Sequence, residues 1–92
     1  MPQYKAPVND MNFVLNEVFK VEDIAKLEGY EEATPDMVEA IIGEGARICE
    51  DVLFPLNQSG DQEGCHFDNG VVTTPKGFKE AYNTYIQNGW TS

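Results

Sequence analysis

One stretch of the sequence constrains the fold more than any other: an apolar stripe of helical period that follows Thr34-Pro35-Asp36. Thr34 suits the N-cap, Pro35 suits the first helical position because its missing N–H needs no partner there, and Asp36 faces the positive end of the helix dipole. The pattern predicts a long amphipathic helix, which Pro55 kinks or which ends near Asn57. Its apolar positions are Val38, Ile41, Ile42, Ile48, Cys49, Val52 and Leu53.

Further helices are predicted on either side of this stripe. Residues 1–9 contain two prolines and are expected to form an extended arm, followed by helical structure over residues 10–57 that Asn9 or Asp10 caps. Residues 21–27 are predicted to form a short helix or a turn, which Gly29 stops. Thr74-Pro75 repeats the start signal and predicts a last helix over residues 75–89. The first and last apolar faces consist of Met11, Val14, Leu15, Val18 and Phe19, and of Phe78, Ala81, Tyr82, Tyr85 and Ile86.

Residues 58–74 are predicted to form a loop and a β-hairpin. The segment 57–64 is polar and contains glycine, which indicates a loop. The sequence Asp68-Asn69-Gly70 then separates two short runs, residues 65–67 and 71–73. Asn-Gly tolerates positive φ at both central turn positions and therefore favours a tight hairpin. Because an isolated two-stranded hairpin is marginal in water, we expect this one to lie against helices.

Length and patterning together predict a single, partial, mainly α domain over residues 1–92. It comprises three main helices, a shorter one and the hairpin, without internal repeats or a linker. A chain of 92 residues buries only about 60% of the surface that its unfolded form exposes. We therefore expect a thin margin of stability.

Charge and composition exclude several classes of partner. Sixteen acidic and six basic residues give a net charge of −10, which repels phosphate backbones and anionic membranes, so nucleic acid is not expected as a partner. No run approaches the roughly 20 apolar residues that span a bilayer, and the start of the chain lacks the pattern of a secretory signal. The two cysteines do not match a disulfide framework. These features predict a cytoplasmic, reduced setting without membrane insertion.

His66 is the one histidine and the natural starting point for a search for chemistry. Cys65, Asp61, Glu63 and Asp68 lie nearby, but the short repeated spacings of zinc sites and the glycine of a calcium loop are missing. Adjacent residues of a strand point to opposite faces, so Cys65 and His66 should not form a nucleophilic pair. We therefore assign no metal site and no catalytic residue to this cluster.

The remaining candidates also favour structural roles. Ser59 is not flanked as a nucleophile elbow requires, and the acidic pairs at residues 31–32 and 50–51 are expected to be solvated. Gly43 and Gly45 lie inside a helical pattern rather than after a strand, so no phosphate-binding loop is present. The aromatic residues Phe78, Tyr82 and Tyr85 are expected in the core. No cofactor-binding residue is assigned.

Specific strings add a resemblance to these patterns. The sequence resembles the start of a bacterial subfamily of acyl-CoA dehydrogenases that carries an amino-terminal extension and includes 3-methylmercaptopropionyl-CoA dehydrogenases. Three separated regions carry the resemblance, in the same order along nearly the whole chain. They are YKAPVNDM at residues 4–11, LFPLN with SGDQEGC at residues 53–57 and 59–65, and DNGVVTTPKGFK at residues 68–79, followed by Ala81-Tyr82 and Gly89-Trp90.

The resemblance implies a protein several times longer, in which two helical domains and a middle β domain hold FAD. In that family a carboxylate removes the acyl α proton while the β hydrogen passes to the flavin as hydride. These parts would follow Ser92, so no catalytic or cofactor residue is carried over to this chain. The segment is expected to be inactive alone, to pack the amino-terminal helical domain, and to wall the acyl side of the cleft.

The expected partners follow from the same resemblance. They are the remaining domains of the parent and, for the parent, an acyl-CoA substrate. We also expect the chain to self-associate, since apolar faces including Trp90 would otherwise meet water. The abrupt ending at residues 90–92 suggests truncation.

Two other classes compete with the fragment hypothesis. An acyl carrier protein shares the size and charge, but Ser59 stands in Gln-Ser-Gly rather than Asp-Ser-Leu. A free-standing acidic helical module that binds a partner helix stays open as an alternative. A stop codon directly after Ser92 would favour that module, and an open frame would favour the dehydrogenase.

Overall fold

The computed structural model describes residues 3–91. Residues 1–2 of the predicted arm and Ser92 of the predicted ending lie outside this range. Contacts between residues divide the chain into two compact units, Met1–Arg47 and Ile48–Ser92. The grouping of residues 1–92 as one domain stays a prediction.

The first unit opens with helix α1 (Val8–Phe13). The predicted cap at Asn9 or Asp10 is wrong, and the extended arm is correspondingly shorter. Pro7 stands at the N-cap without a side-chain hydrogen bond, and its carbonyl oxygen accepts the N–H of Met11 at 3.0 Å. The fixed φ of proline suits a helix start, so the backbone turns two residues before the polar caps.

A π-helical turn (Val14–Val18) continues α1. The N–H of Phe19 donates to the carbonyl oxygen of Val14 at 2.9 Å, which spans five residues instead of four. Lys20 then takes a left-handed conformation with φ of 51°, and α2 (Val21–Ile24) follows. The predicted short helix is therefore present, and Gly29 is left-handed beyond its end.

Helix α3 (Pro35–Ile48) confirms the strongest sequence signal. The hydroxyl oxygen of Thr34 accepts the N–H of Met37 at 3.3 Å, as an N-cap does. Near the other end, Glu44 accepts two hydrogen bonds from the Nε of Arg47 and one from its Nη2. Hydrogen bonding to Arg47 lowers the pKa of Glu44, so the carboxylate stays charged to lower pH.

The second unit begins with helical backbone that persists longer than predicted. A π-helical turn (Cys49–Leu53) leads into α4 (Pro55–Glu63). The loop predicted over residues 57–64 is therefore wrong, as is a helix end near Asn57. Pro55 occupies the first position of α4, where the N–H that proline lacks is not needed for a hydrogen bond within that helix. Gly64, with φ of 70°, ends the helix instead.

Two strands form the predicted hairpin, β1 (His66–Asp68) and β2 (Val71–Thr73). They are antiparallel, and Phe67 lies opposite Val72. Asn69 and Gly70 have φ of 50° and 78°, as a tight hairpin turn requires. The expectation that helices cover the hairpin is wrong, because every residue of both strands is exposed.

Helix α5 (Phe78–Gln87) begins three residues later than predicted. Gly77 has φ of 92°, a left-handed conformation that a helix started at Pro75 could not contain. The Thr74-Pro75 signal thus leads into a turn, in which the N–H of Phe78 reaches the carbonyl oxygen of Pro75 at 3.3 Å. Gly89 is left-handed after the helix, as predicted.

The mainly α fold with a short hairpin is confirmed, but it buries little. Among residues 3–91, the hydrophobic residues classed as buried are Val21, Ile48 and Ala81. Within that range, no helix has the length and apolar character needed to cross a bilayer. In the second unit, contacts at two glycines join α4 to the start of α5. A Cβ built on Gly60 would lie 2.5 Å from Cζ of Phe78, and one on Gly77 would lie 2.8 Å from Cδ2 of Leu56.

Replacing Gly60 with alanine should therefore destabilise the chain. The added methyl group meets the Phe78 ring, and such overpacking lowers the free energy of unfolding by about 1 to 3 kcal/mol. Gly43→Ala is the matched control, since a Cβ there meets no atom within 4 Å and alanine gains about 0.5 to 1 kcal/mol in a helix. Urea denaturation measures both variants. A Gly60→Ala chain as stable as the parent would contradict the packing described.

Candidate functional site

The second unit contains an apolar cleft of about 410 Å³ beside α5. We call it the α5 cleft. Residues from the second π-helical turn and the start of α4 form one wall, and one face of α5 forms the other. The lining residues are Leu53, Leu56, Asn57, Phe78, Ala81, Tyr82 and Tyr85. Asn57 and the two tyrosines supply the polar atoms of an otherwise aliphatic and aromatic surface.

Glycine contacts fix the geometry of this cleft. Gly60 is buried, and the Phe78 ring fills the space where its Cβ would stand. At Gly77 the Leu56 side chain fills the corresponding space. Both Phe78 and Leu56 line the cleft. Since neither glycine position has room for a Cβ, α4 and α5 approach more closely here than larger residues would allow. The cleft is therefore preformed by backbone packing.

Two tyrosines dominate the α5 wall. The rings of Tyr82 and Tyr85 stack with centroids 6.5 Å apart and an interplanar angle of 26°. The Tyr85 hydroxyl donates to the carbonyl oxygen of Trp90 at 3.5 Å, and the Trp90 N–H donates to the carbonyl oxygen of Tyr85 at 3.4 Å. These contacts hold Tyr85, whereas the Tyr82 side chain extends into the cleft opening and is 59% exposed.

The expectation of an aromatic core is wrong for two of the three residues. Phe78 and Tyr82 are exposed, and only Tyr85 is half-buried. Periodicity identified the correct face of α5, but the described residues provide no further element that covers it. Trp90, expected to face water, is half-buried, and its Nε1 is buried without a hydrogen-bond partner in the described structure.

The first unit carries a second, more open apolar surface. A groove of about 400 Å³ is lined by Asp10, Met11, Val14, Leu15 and Ile42. We call it the α1 groove. Met11, Val14 and Leu15 belong to the predicted first apolar face, and Ile42 belongs to the predicted stripe of α3, so the sequence identified most of this surface as well.

Glu63 connects three elements of the second unit. It is the last residue of α4, and its Oε1 accepts the backbone N–H of Lys76 at 3.1 Å. Its Oε2 lies 3.3 Å from Nε2 of His66, the first residue of β1. The carboxylate thereby ties the helix end to the hairpin and to the turn before α5. Sequence reasoning missed this role because Lys76 lies 13 residues away.

The other residues of the predicted cluster do not join this contact. Cys65 is an exposed free thiol, and Cys49 is a half-buried one. Across residues 3–91, no group of three or more His, Cys, Asp or Glu side chains is placed to hold a metal ion. The Ser59 hydroxyl donates to the carbonyl oxygen of Leu56 at 3.5 Å within its own helix. Glu31, from one of the acidic pairs, accepts the Gly29 N–H.

Glu63→Ala should loosen the hairpin and the turn before α5. It removes the acceptor of the Lys76 N–H, and such a hydrogen bond contributes about 1 kcal/mol. We expect faster amide hydrogen exchange at Lys76 and through β1, measured by NMR. Asp61→Ala is the control, because it removes an exposed carboxylate from the same helix. If amide exchange at Lys76 is equally fast in both variants, the hydrogen bond from the Lys76 N–H to Glu63 does not stabilise this turn.

Neither apolar surface fits a flavin dinucleotide. FAD carries a diphosphate, which proteins hold with backbone N–H groups at a helix start or with cationic side chains. The linings of the α5 cleft and of the α1 groove contain no Lys, Arg or His. The surfaces suit aliphatic or aromatic groups instead.

Two known proteins are similar to almost the whole chain. The chain is 35% identical over 89 residues to 3-methylmercaptopropionyl-CoA dehydrogenase of Ruegeria pomeroyi, which covers 97% of the chain and 15% of that protein. It is 31% identical over 90 residues to butyryl-CoA dehydrogenase of Syntrophomonas wolfei, covering 94% of the chain and 15% of that protein. The chain is homologous to the amino-terminal segment of acyl-CoA dehydrogenases. The resemblance inferred from the sequence is thereby confirmed.

This homology is limited in extent. The chain spans about 15% of the length of the two relatives. No protein-family profile matches it. The α5 cleft and the α1 groove are therefore surfaces of a segment that is short compared with these two relatives.

Proposed function

We propose that the chain is the amino-terminal structural segment of an FAD-dependent acyl-CoA dehydrogenase. Its role is to help build the first helical domain of the parent enzyme, which desaturates an acyl-CoA thioester between the α and β carbons. The proposal rests on the similarity to the two dehydrogenases. It covers almost the whole chain, but only 15% of the length of each relative.

The exposed apolar side chains support this role. Within residues 3–91, eighteen large hydrophobic residues are exposed and three hydrophobic residues are buried. A self-contained domain of this size usually covers more of its apolar surface, and each fully buried Val, Leu, Ile, Phe or Met contributes roughly 1.5 to 3 kcal/mol. Packing against further domains of a parent enzyme would recover that stabilisation.

The chemistry of the parent is assigned to residues outside this segment. The base, the flavin contacts and the acyl-CoA site would belong to the remaining domains, since the apolar surfaces here lack the groups that a diphosphate needs. The segment contributes by packing and by walling one side of the acyl cleft.

The 92-residue chain alone should bind no FAD and show no dehydrogenase activity. Equilibrium dialysis against FAD and an assay that follows electron transfer from butyryl-CoA to an artificial acceptor test both statements. The polypeptide encoded by the complete reading frame is the positive control. Flavin that co-purifies with the 92-residue chain would contradict the proposal, as would a stop codon immediately after the Ser92 codon in the native gene.

The isolated chain should also self-associate through its exposed apolar faces. Light scattering over a range of concentrations should give a mass that rises above that of a monomer. Because sulfate strengthens apolar association and screens the net charge of −10, the mass should rise further in ammonium sulfate. A monomer at every concentration would instead favour a free-standing module, for which the α5 cleft is the available binding surface.

A further inference from the structure

Three apolar surfaces of the segment lack a cover among residues 3–91: the α5 cleft, the α1 groove and the exposed hairpin. The hairpin presents Phe67 opposite Val72, but its six residues form a small convex surface. The α1 groove is the more open of the two concave surfaces. The α5 cleft alone combines concavity, stacked aromatic rings and a floor fixed by glycine packing.

The α5 cleft has the features of a protein-binding hot spot. Binding energy concentrates in concave, apolar surfaces around large aromatic side chains, with tyrosine strongly enriched. Tyr82 lines the cleft and is exposed, and Tyr85 beside it is held by its contacts with Trp90. The rigid floor reduces the ordering that an occupant must impose, which favours tight docking.

The dimensions of the cleft fit a helix. Its α5 wall extends from Phe78 to Tyr85, about 10 Å along the helix axis at a rise of 1.5 Å per residue. An occupant helix of two to three turns presents apolar side chains with i, i+3, i+4 spacing over roughly that length.

The length of the relatives indicates where this helix comes from. Both are far longer than the matched segment, which amounts to 15% of each. We infer that the α5 cleft receives the apolar face of a helix from the polypeptide that follows this segment in the full-length dehydrogenase. This inference rests on the proposed function and adds to it the face through which the segment joins the rest of the enzyme.

Hydroxyl-radical footprinting of the full-length protein tests the inference without any substitution. Tyr82 and Tyr30 are matched reporters, since their exposures in this segment are 59% and 58%. We expect Tyr82 to be oxidised several times more slowly than Tyr30. Equal oxidation would overturn the inference. Protection of Tyr82 that disappears on dilution would also overturn it, because a second copy would then be the occupant.

Tyr82→Asp tests how much the α5 cleft contributes to the free energy of docking. Loss of a hot-spot residue weakens docking by about 30-fold or more. When opening is fast, proteolysis follows the population of the open form, so limited proteolysis should release the segment faster by about that factor. Asn83→Asp is the control, because it places the same charge on the same helix, at an exposed position outside the cleft lining. Equal rates in the two variants would overturn the inference.

Failure of the inference and failure of the proposed function give different results. A native gene that ends after Ser92 removes the parent polypeptide and with it the proposed function. A full-length flavoprotein in which Tyr82 reacts freely leaves the proposed function standing and refutes the cleft as the docking face.

Discussion

The close approach of α4 and α5 is the constraint on which the second unit depends. It requires hydrogen in place of a side chain at Gly60 and Gly77, since the Phe78 ring and the Leu56 side chain fill the space where a Cβ would stand. Those two contacts set the floor of the α5 cleft and therefore the positions of the tyrosines along its wall. The left-handed conformation of Gly77 also determines where α5 begins. Gly77 thus determines where α5 begins, and Gly60 and Gly77 together determine how α4 packs against α5 and the shape of the α5 cleft.

Local chemistry explains which elements the sequence predicted well. The Thr34 cap, the Asn69-Gly70 turn and the left-handed Gly89 depend on interactions within a few residues, and the structure has all three. The apolar stripes likewise marked the faces that now line the α5 cleft and the α1 groove. Periodicity identifies an apolar face, but it does not tell whether another element covers that face.

The errors have physical causes that sequence patterns do not contain. Polar residues with glycine indicated a loop over residues 57–64, yet α4 extends to Glu63, and Gly60 within it lies against the Phe78 ring. Thr74-Pro75 was a sound local start signal that the left-handed Gly77 overrode. The Glu63 contact with the Lys76 N–H joins positions 13 residues apart, so only the folded chain reveals it. The patterns therefore missed a contact between separate elements at Gly60 and at Glu63, and a left-handed backbone conformation at Gly77.

Both long helical stretches contain a π-helical turn, at Val14–Val18 and at Cys49–Leu53. Such a turn is equivalent to a single residue added to an α-helix, with the surplus backbone absorbed by one wider ring. The added residue changes the direction of the side chains that follow it in the same helix by about 100° about the axis, because an α-helix has 3.6 residues per turn. In the first unit, deleting one residue from Val14–Val18 would restore an ordinary helix and turn the apolar side chains of that stretch in another direction. The length of the chain within this turn therefore determines which way those side chains face.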